Sequence, residues 1–103
     1  MTPTQRSLAH LRAAGYLCAV VERFNAFSKT RLDLWGFVDV LAIRPGEVLA
    51  VQVTSGSNVA ARVNKITEHE NLPHVRAAGI GVHVHGWRKG ANGRYALRVV
   101  DLS

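Results

Sequence analysis

The chain has little of what stabilises a secreted protein. Among its 103 residues there is one cysteine, Cys18, which excludes an internal disulfide and any multi-cysteine zinc site. It lies in the run YLCAVVERF, where it reads as a small apolar packing residue. No apolar run approaches the length needed to cross a bilayer, and the polar N-terminus does not resemble a secretion signal. The expectation is a soluble, intracellular and cytoplasmic protein with no membrane partner. Acidic residues are scarce too: Asp and Glu number 7 against 13 Lys and Arg, a net charge of +6. Such a surface attracts polyanions, nucleic acid first among them. Repeats, low-complexity tracts and linkers are missing, so residues 1–103 are expected to form one domain. An enzyme this small often works as a pair, which makes a homodimer the expected assembly.

What is present is a regular alternation of helix and strand signals. MTPTQRSLAHLRAAG begins with Thr2 as N-cap, Pro3 at the first helical position and Gln5 completing a capping box, and it stops at Gly15. YLCAVVERFN is rich in β-branched and aromatic residues and reads as a strand over about residues 16 to 24. AFSKTRLDLW reads as a polar, basic loop. Two further strands follow, from about Phe37 to Ile43 and from about Val48 to Thr54. SGSNVAARVNKITEHEN has Ser55 or Ser57 as N-cap and an apolar stripe at Val59, Val63 and Ile66, the spacing of a helix. LPHVRAAG adds a turn or a short helix, and IGVHVHGW and RYALRVVDL flank an Asn92-Gly93 turn as a second hairpin. The predicted order is α-β-β-β-α-β-β, an α/β (α+β) fold with a central mixed sheet flanked by helices.

The most informative stretch is GFVDVLAIRPGEVLAVQVTSGS. Two apolar runs flank Pro45-Gly46, and each carries one polar residue, Asp39 and Gln52, where a buried strand would have none. If the hairpin turns symmetrically about Pro45 and Gly46, Asp39 stands directly opposite Gln52. Period-2 alternation puts Thr54 and the more distant Phe37 on that half-solvated face, and Val38, Val40, Val51 and Val53 on the other. A carboxylate beside an amide carbonyl offers hard oxygen ligands suited to Mg²⁺ or Mn²⁺.

With GFVD on the second predicted strand, QVT at Gln52 to Thr54 on the third, and this element order, the chain resembles the PD-(D/E)XK nuclease superfamily, specifically its small Holliday-junction-resolvase-like and VRR-NUC types. The resemblance implies a restriction-endonuclease-like αβββαβ core with an extra C-terminal strand and metal-dependent cleavage of DNA, including branched or single-stranded DNA. It further implies Asp39 as metal carboxylate, Gln52 as second ligand and the Val53 backbone carbonyl as third. Thr54 stands where the superfamily has its lysine. An amide in place of a carboxylate lowers cation affinity, and loss of the lysine removes a cation that offsets charge developing on phosphate. The rival expectation is therefore a catalytically weak or inactive DNA-binding module that retains the nuclease fold.

Other residues are candidates to complete the site. Asn58, Arg62, Lys65 and His69 fall on one helical face, so Lys65 or Arg62 is a displaced substitute for the missing lysine, and the helix N-terminus, with Ser57 and Asn58, suits a phosphate. Glu22 alternates with Val20 and Phe24 and is expected to face the same cleft as Asp39. Asp33 reads as a loop cap or as a partner of Arg31. Gln5 is the nearest stand-in for the glutamate that some resolvase-like relatives carry on the first helix. His83 and His85 share a strand face and, with His69 or His74, could assemble a zinc site. Trp35, Trp87 and Tyr95 are interleaved with Arg31, Arg88, Lys89, Arg94 and Arg98, either to stack on unpaired bases or to close the core.

Overall fold

Chain order begins with the anticipated capping box: Thr2 Oγ1 accepts from Gln5 N–H at 3.2 Å and Thr2 N–H donates to Gln5 Oε1 at 2.9 Å. The helix it starts, α1, runs Pro3–Ala13. The computed structural model describes residues 1–103, and the elements after α1 are β1 (Leu17–Val20), β2 (Arg23–Asn25), β3 (Thr30–Leu32), β4 (Val40–Arg44), β5 (Glu47–Ser55), a 3₁₀ turn (Gly56–Asn58), α2 (Val59–Thr67), α3 (Leu72–Ala77), β6 (Gly81–Lys89) and β7 (Tyr95–Asp101). The fold is α+β. Five strands form a mixed sheet in the order β1-β4-β5-β6-β7, parallel only between β5 and β6. No helix is long and apolar enough to cross a membrane.

The β4–β5 hairpin has the register that symmetry about Pro45-Gly46 demands, with Val40 opposite Val51 and Arg44 opposite Glu47. Alternation along these strands sends side chains to two separate cores. Val40, Ala42, Leu49 and Val51 pack with Leu11 beneath α1, joined by Val53. Ala50, Val82 and Val84 pack with Val59, Ile66, Leu72 and Val75 beneath α2 and α3. The sheet is therefore covered on both faces, and the face carrying Asp39 and Gln52 is not half-solvated as expected.

Three local readings change. The predicted strand over residues 16 to 24 breaks at Val21 and Glu22, because β1 pairs with β4 whereas β2 pairs with β3 in a separate two-stranded ribbon. That ribbon replaces the expected loop; Asn25 Oδ1 accepts from Phe27 N–H at 2.9 Å and so turns the chain. Phe37 and Val38 precede β4 and lie in the α2/α3 core, so Phe37 is on the side of Gln52 as expected, though fully buried, and Val38 is not on the α1 side. Finally, α2 starts after Asn58 rather than Ser55 or Ser57; those two hydroxyls contact each other, and Asn58 Nδ2 donates to Ser55 Oγ at 3.1 Å.

The first turn of α2 sits directly on β6. A Cβ added at Gly86 would lie 2.2 Å from Val59 Cγ2, and Val59 is itself fully packed. Gly86→Ala must therefore push α2 off the sheet. Overpacking of this kind costs about 1–3 kcal/mol, and urea unfolding should show a loss of that size with the denaturant slope unchanged.

Candidate metal centre

Asp39 lies one residue before β4 and is clamped by backbone on both sides: its N–H donates to Val51 O at 2.9 Å and its carbonyl accepts from Val21 N–H at 2.8 Å. One step beyond the β4–β5 pairs it stands opposite Gln52, as the hairpin register requires. Gln52 Nε2 donates to Asp39 Oδ2 at 2.6 Å, and Val53 N–H donates to the same oxygen at 2.8 Å. Asp39 and Gln52 are each only 4% exposed.

Two more carboxylates converge on Asp39. Leu34 and Val38 form an antiparallel bridge around a tip in which Trp35 (φ 56°) and Gly36 (φ 91°) are both left-handed. The next pair outward in that register is Asp33 and Asp39. Gly36 is obligatory at the tip, since a Cβ there would stand 2.3 Å from His69 Nε2. Trp35 has no such freedom, and a bulky residue in this region costs on the order of 1–3 kcal/mol. The break between β1 and β2 turns Glu22 the same way. Glu22, Asp33 and Asp39 then offer carboxylate oxygens within 4.8 Å of one another.

Asp33 is the site residue that sequence reasoning missed. Arg31 reaches Glu22 instead of Asp33, at 3.9 Å. The signal was the near-palindrome DLWGFVD, in which Asp33 and Asp39 are equidistant from Gly36 and a tight turn must bring them face to face.

Around the acids, Arg31, Arg62 and Lys65 complete a cavity of about 260 Å³ that Gln52 and Val53 also line. Neither Arg62 nor Lys65 takes part in an ion pair. Val53 presents its backbone groups to the same strand edge as Val51, as alternation along β5 dictates. Thr54 is buried two residues beyond Gln52 and does not line the cavity. Ser57, Asn58 and Arg88 lie at the far end, where the 3₁₀ turn crosses β6 and Arg88 borders a separate cavity with Gly56 and Arg98. Lys89, next along β6, alternates to the other face. The cations of the site therefore come from the middle of α2 and from β3, not from the helix N-terminus.

The histidines do not combine. His83 and His85 project to the α1 side of β6; His85 Nδ1 and Ser7 Oγ are hydrogen-bonded at 3.0 Å, and Ser7 Oγ accepts from Trp87 Nε1–H at 2.8 Å. His69 packs on Phe37 across the sheet. Gln5 serves the capping box.

The donor set suits a hard divalent cation. Beside the three carboxylates, Gln52 Oε1 is buried with no hydrogen-bond partner, an acceptor left vacant where a cation or a water on it would satisfy it. Gln52 thus acts in two ways, its amide N–H orienting Asp39 and its oxygen remaining available. No family model, curated protein or solved structure matches the chain.

Burial dominates the electrostatics of Asp39 and, together with the neighbouring Asp33, pushes its pKa up to about 7, against the lowering effect of the Val53 and Gln52 N–H groups. The folded chain then binds a proton that the unfolded chain releases, so Asp39 removes stability as pH rises from about 4 to about 7. His85 has the opposite slope. Its burial, with His10 and His83 nearby, lowers its pKa to about 4, so its contribution is lost as pH falls from its unfolded value toward 4. Asp39→Asn keeps an acceptor for both N–H donors and isolates the first effect. In metal-free buffer the variant should gain stability over wild type progressively between about pH 4 and pH 7, read by urea unfolding; a constant difference would contradict the raised pKa.

Proposed function

We propose that the protein is a divalent-metal-dependent nuclease that hydrolyses phosphodiester bonds of nucleic acid, DNA in the first instance, in the cavity around Asp39. The observation that carries this reading is three clustered carboxylates, with a buried unpartnered amide oxygen beside them, in one cavity with Arg31, Arg62 and Lys65, the last two free of ion pairs. Carboxylates alone would repel a phosphate, and cations alone would bind one without reaction. The resemblance to PD-(D/E)XK nucleases supports the same conclusion from the sequence.

Glu22, Asp33 and Asp39 would hold Mg²⁺ or Mn²⁺, with Gln52 Oε1 and the Val53 carbonyl as the neutral oxygens. When bound, such an ion supplies Lewis-acid polarisation of the phosphodiester and a more acidic water. The N–H groups of Gln52 and Val53 fix Asp39 Oδ2, so the other carboxylate oxygen points at its acidic neighbours without rotamer loss. Lys65 and Arg62 take the place left by Thr54, offsetting negative charge as it grows on the phosphoryl oxygens during in-line displacement by water. Arg31, held by Glu22, faces the incoming strand at the cavity rim. An inactive binding module is the second reading, favoured by Gln52 and Thr54 standing where the superfamily has an acid and a lysine.

Two measurements test the proposal. Mn²⁺ should raise the Tm of the wild type at pH 8, and should do so much less at pH 5.5, where the cation competes with a proton on Asp39; Asp33→Asn and Asp39→Asn should abolish the shift. With Mg²⁺ or Mn²⁺, plasmid nicking should disappear in Asp39→Ala while DNA affinity survives, and should slow by about two to three orders of magnitude in Lys65→Ala. Cleavage that persists in Asp39→Ala would overturn the assigned site. Binding without cleavage in either ion would select the inactive module.

A further inference from the structure

The tip of the loop between Asp33 and Asp39 carries Trp35, and its indole is neither core nor idle surface. It is 40% exposed, sits on a left-handed backbone where glycine or asparagine would be favoured, and is held there by Asn71 Nδ2 donating to its carbonyl at 2.9 Å. Trp35 borders two cavities. One, about 410 Å³, is lined by Arg23 and by Asp33, which it shares with the cavity of the acidic centre; the other, about 260 Å³, is walled by Val75, Ala78 and Ile80 with Asn71 and His74. Trp35 thus stands between the carboxylate end of the loop and a mostly apolar slot. Asn71 has spent one N–H on the loop, and the His74 ring makes no hydrogen bond within the chain.

We infer that the cavity beside Trp35 is a subsite for an unpaired nucleobase of a nucleic-acid strand whose backbone lies along the acidic centre. The inference rests on the reading of that centre as a phosphodiester site and narrows its substrate to strands with an unstacked base next to the point of cleavage. Three features select this occupant. The slot is walled mostly by apolar groups, with Asn71 and His74 as its hydrogen-bonding members, as a base face and edge require. Across the indole lies a cavity that carries Arg23 and shares Asp33 with the one that Arg31, Arg62 and Lys65 line, which suits a polyanion. Asp33 and Trp35 are two residues apart, a reach of no more than about 7 Å, so phosphate and base can belong to neighbouring nucleotides. Paired bases inside a duplex cannot enter.

The test uses the full chain in EDTA, where no strand is cut. Trp87, the other tryptophan, is bonded to Ser7 on the α1 side, so quenching of fluorescence on titration reports Trp35. Oligothymidylate should quench, an abasic oligomer of equal charge should not, and an oligouridylate arm distinguishes DNA from RNA as the source of the base. Trp35→Asn relieves the left-handed strain and should fold at least as well as wild type, yet lose about tenfold or more in affinity for the single strand. Its affinity for a duplex of the same length should be unchanged, and Trp35→Phe should restore most of the loss. Equal quenching by the abasic oligomer, or equal loss for single strand and duplex, would overturn the subsite. Base-dependent binding that persists in a protein that never cuts would fault the nuclease reading alone, and cutting without base-dependent binding would fault the subsite alone.

Discussion

Asp39 Oδ2 accepts two hydrogen bonds across the β4–β5 edge, from Gln52 Nε2 and from Val53 N–H, and much of the site depends on that pair. A carboxylate this buried is costly even with two donors. Burial and the adjacent Asp33 outweigh them and raise its pKa to about 7, so that a proton competes for the site near physiological pH. The fold therefore holds a position that calls for positive charge, either a proton or a cation. The surrounding groups agree with this demand: two more carboxylates intensify it, and Arg31, Arg62 and Lys65 sit close enough to share the cavity without pairing directly with Asp39.

Sheet register does most of the placement. Asp39 comes from the head of β4, Gln52 and Val53 from the middle of β5, Asp33 from the segment after β3, and Glu22 from the kink after β1. Only the first pair is bridged by a regular ladder. The others arrive because the β2–β3 ribbon leaves the sheet at Val21 and returns through the Leu34–Val38 bridge. The ribbon is an excursion between two adjacent strands, and its two exits are what bring Glu22 and Asp33 beside Asp39. Gly36 and Gly86 serve close approach in different places, one beneath His69 and the other beneath Val59.

How far the sequence could be read follows from the range of each interaction. Capping at Thr2, the hairpin register at Pro45-Gly46 and the cationic stripe at Arg62 and Lys65 are local patterns, and all three appear in the structure. The five strands of the sheet were also recoverable, since each is a distinct β-branched run. What escaped notice depended on pairing between non-adjacent segments. The residue 16–24 run looks like one strand because composition cannot show that its halves have different partners. Ser57 and Asn58 were assigned to a phosphate by the helix dipole, but Gly86 lets the start of α2 settle over β6, away from Asp39. Thr54 was assigned by family position, whereas its side chain is buried outside the cavity. Asp33 was visible only in the symmetry of DLWGFVD, a turn signal that polar loop composition obscured.

The two faces of the sheet show what separates a structural polar group from a functional one. On the α1 side, His85 is as buried as Asp39 and its pKa is displaced as plainly in its own direction. Yet its Nδ1 is engaged within the chain: Trp87 Nε1–H donates to Ser7 Oγ, which in turn is hydrogen-bonded to His85 Nδ1. On the α2 side, Gln52 spends its N–H on Asp39 and keeps an acceptor with no donor, and Asp39 faces two groups of its own sign. A perturbed pKa occurs at both places and so does not discriminate between them. Arg6 Nε, on α1, is also buried without a partner, but only at Gln52 does an unsatisfied acceptor stand beside clustered carboxylates at a cavity lined by cations, the imbalance that a bound ion and a phosphate together would remove.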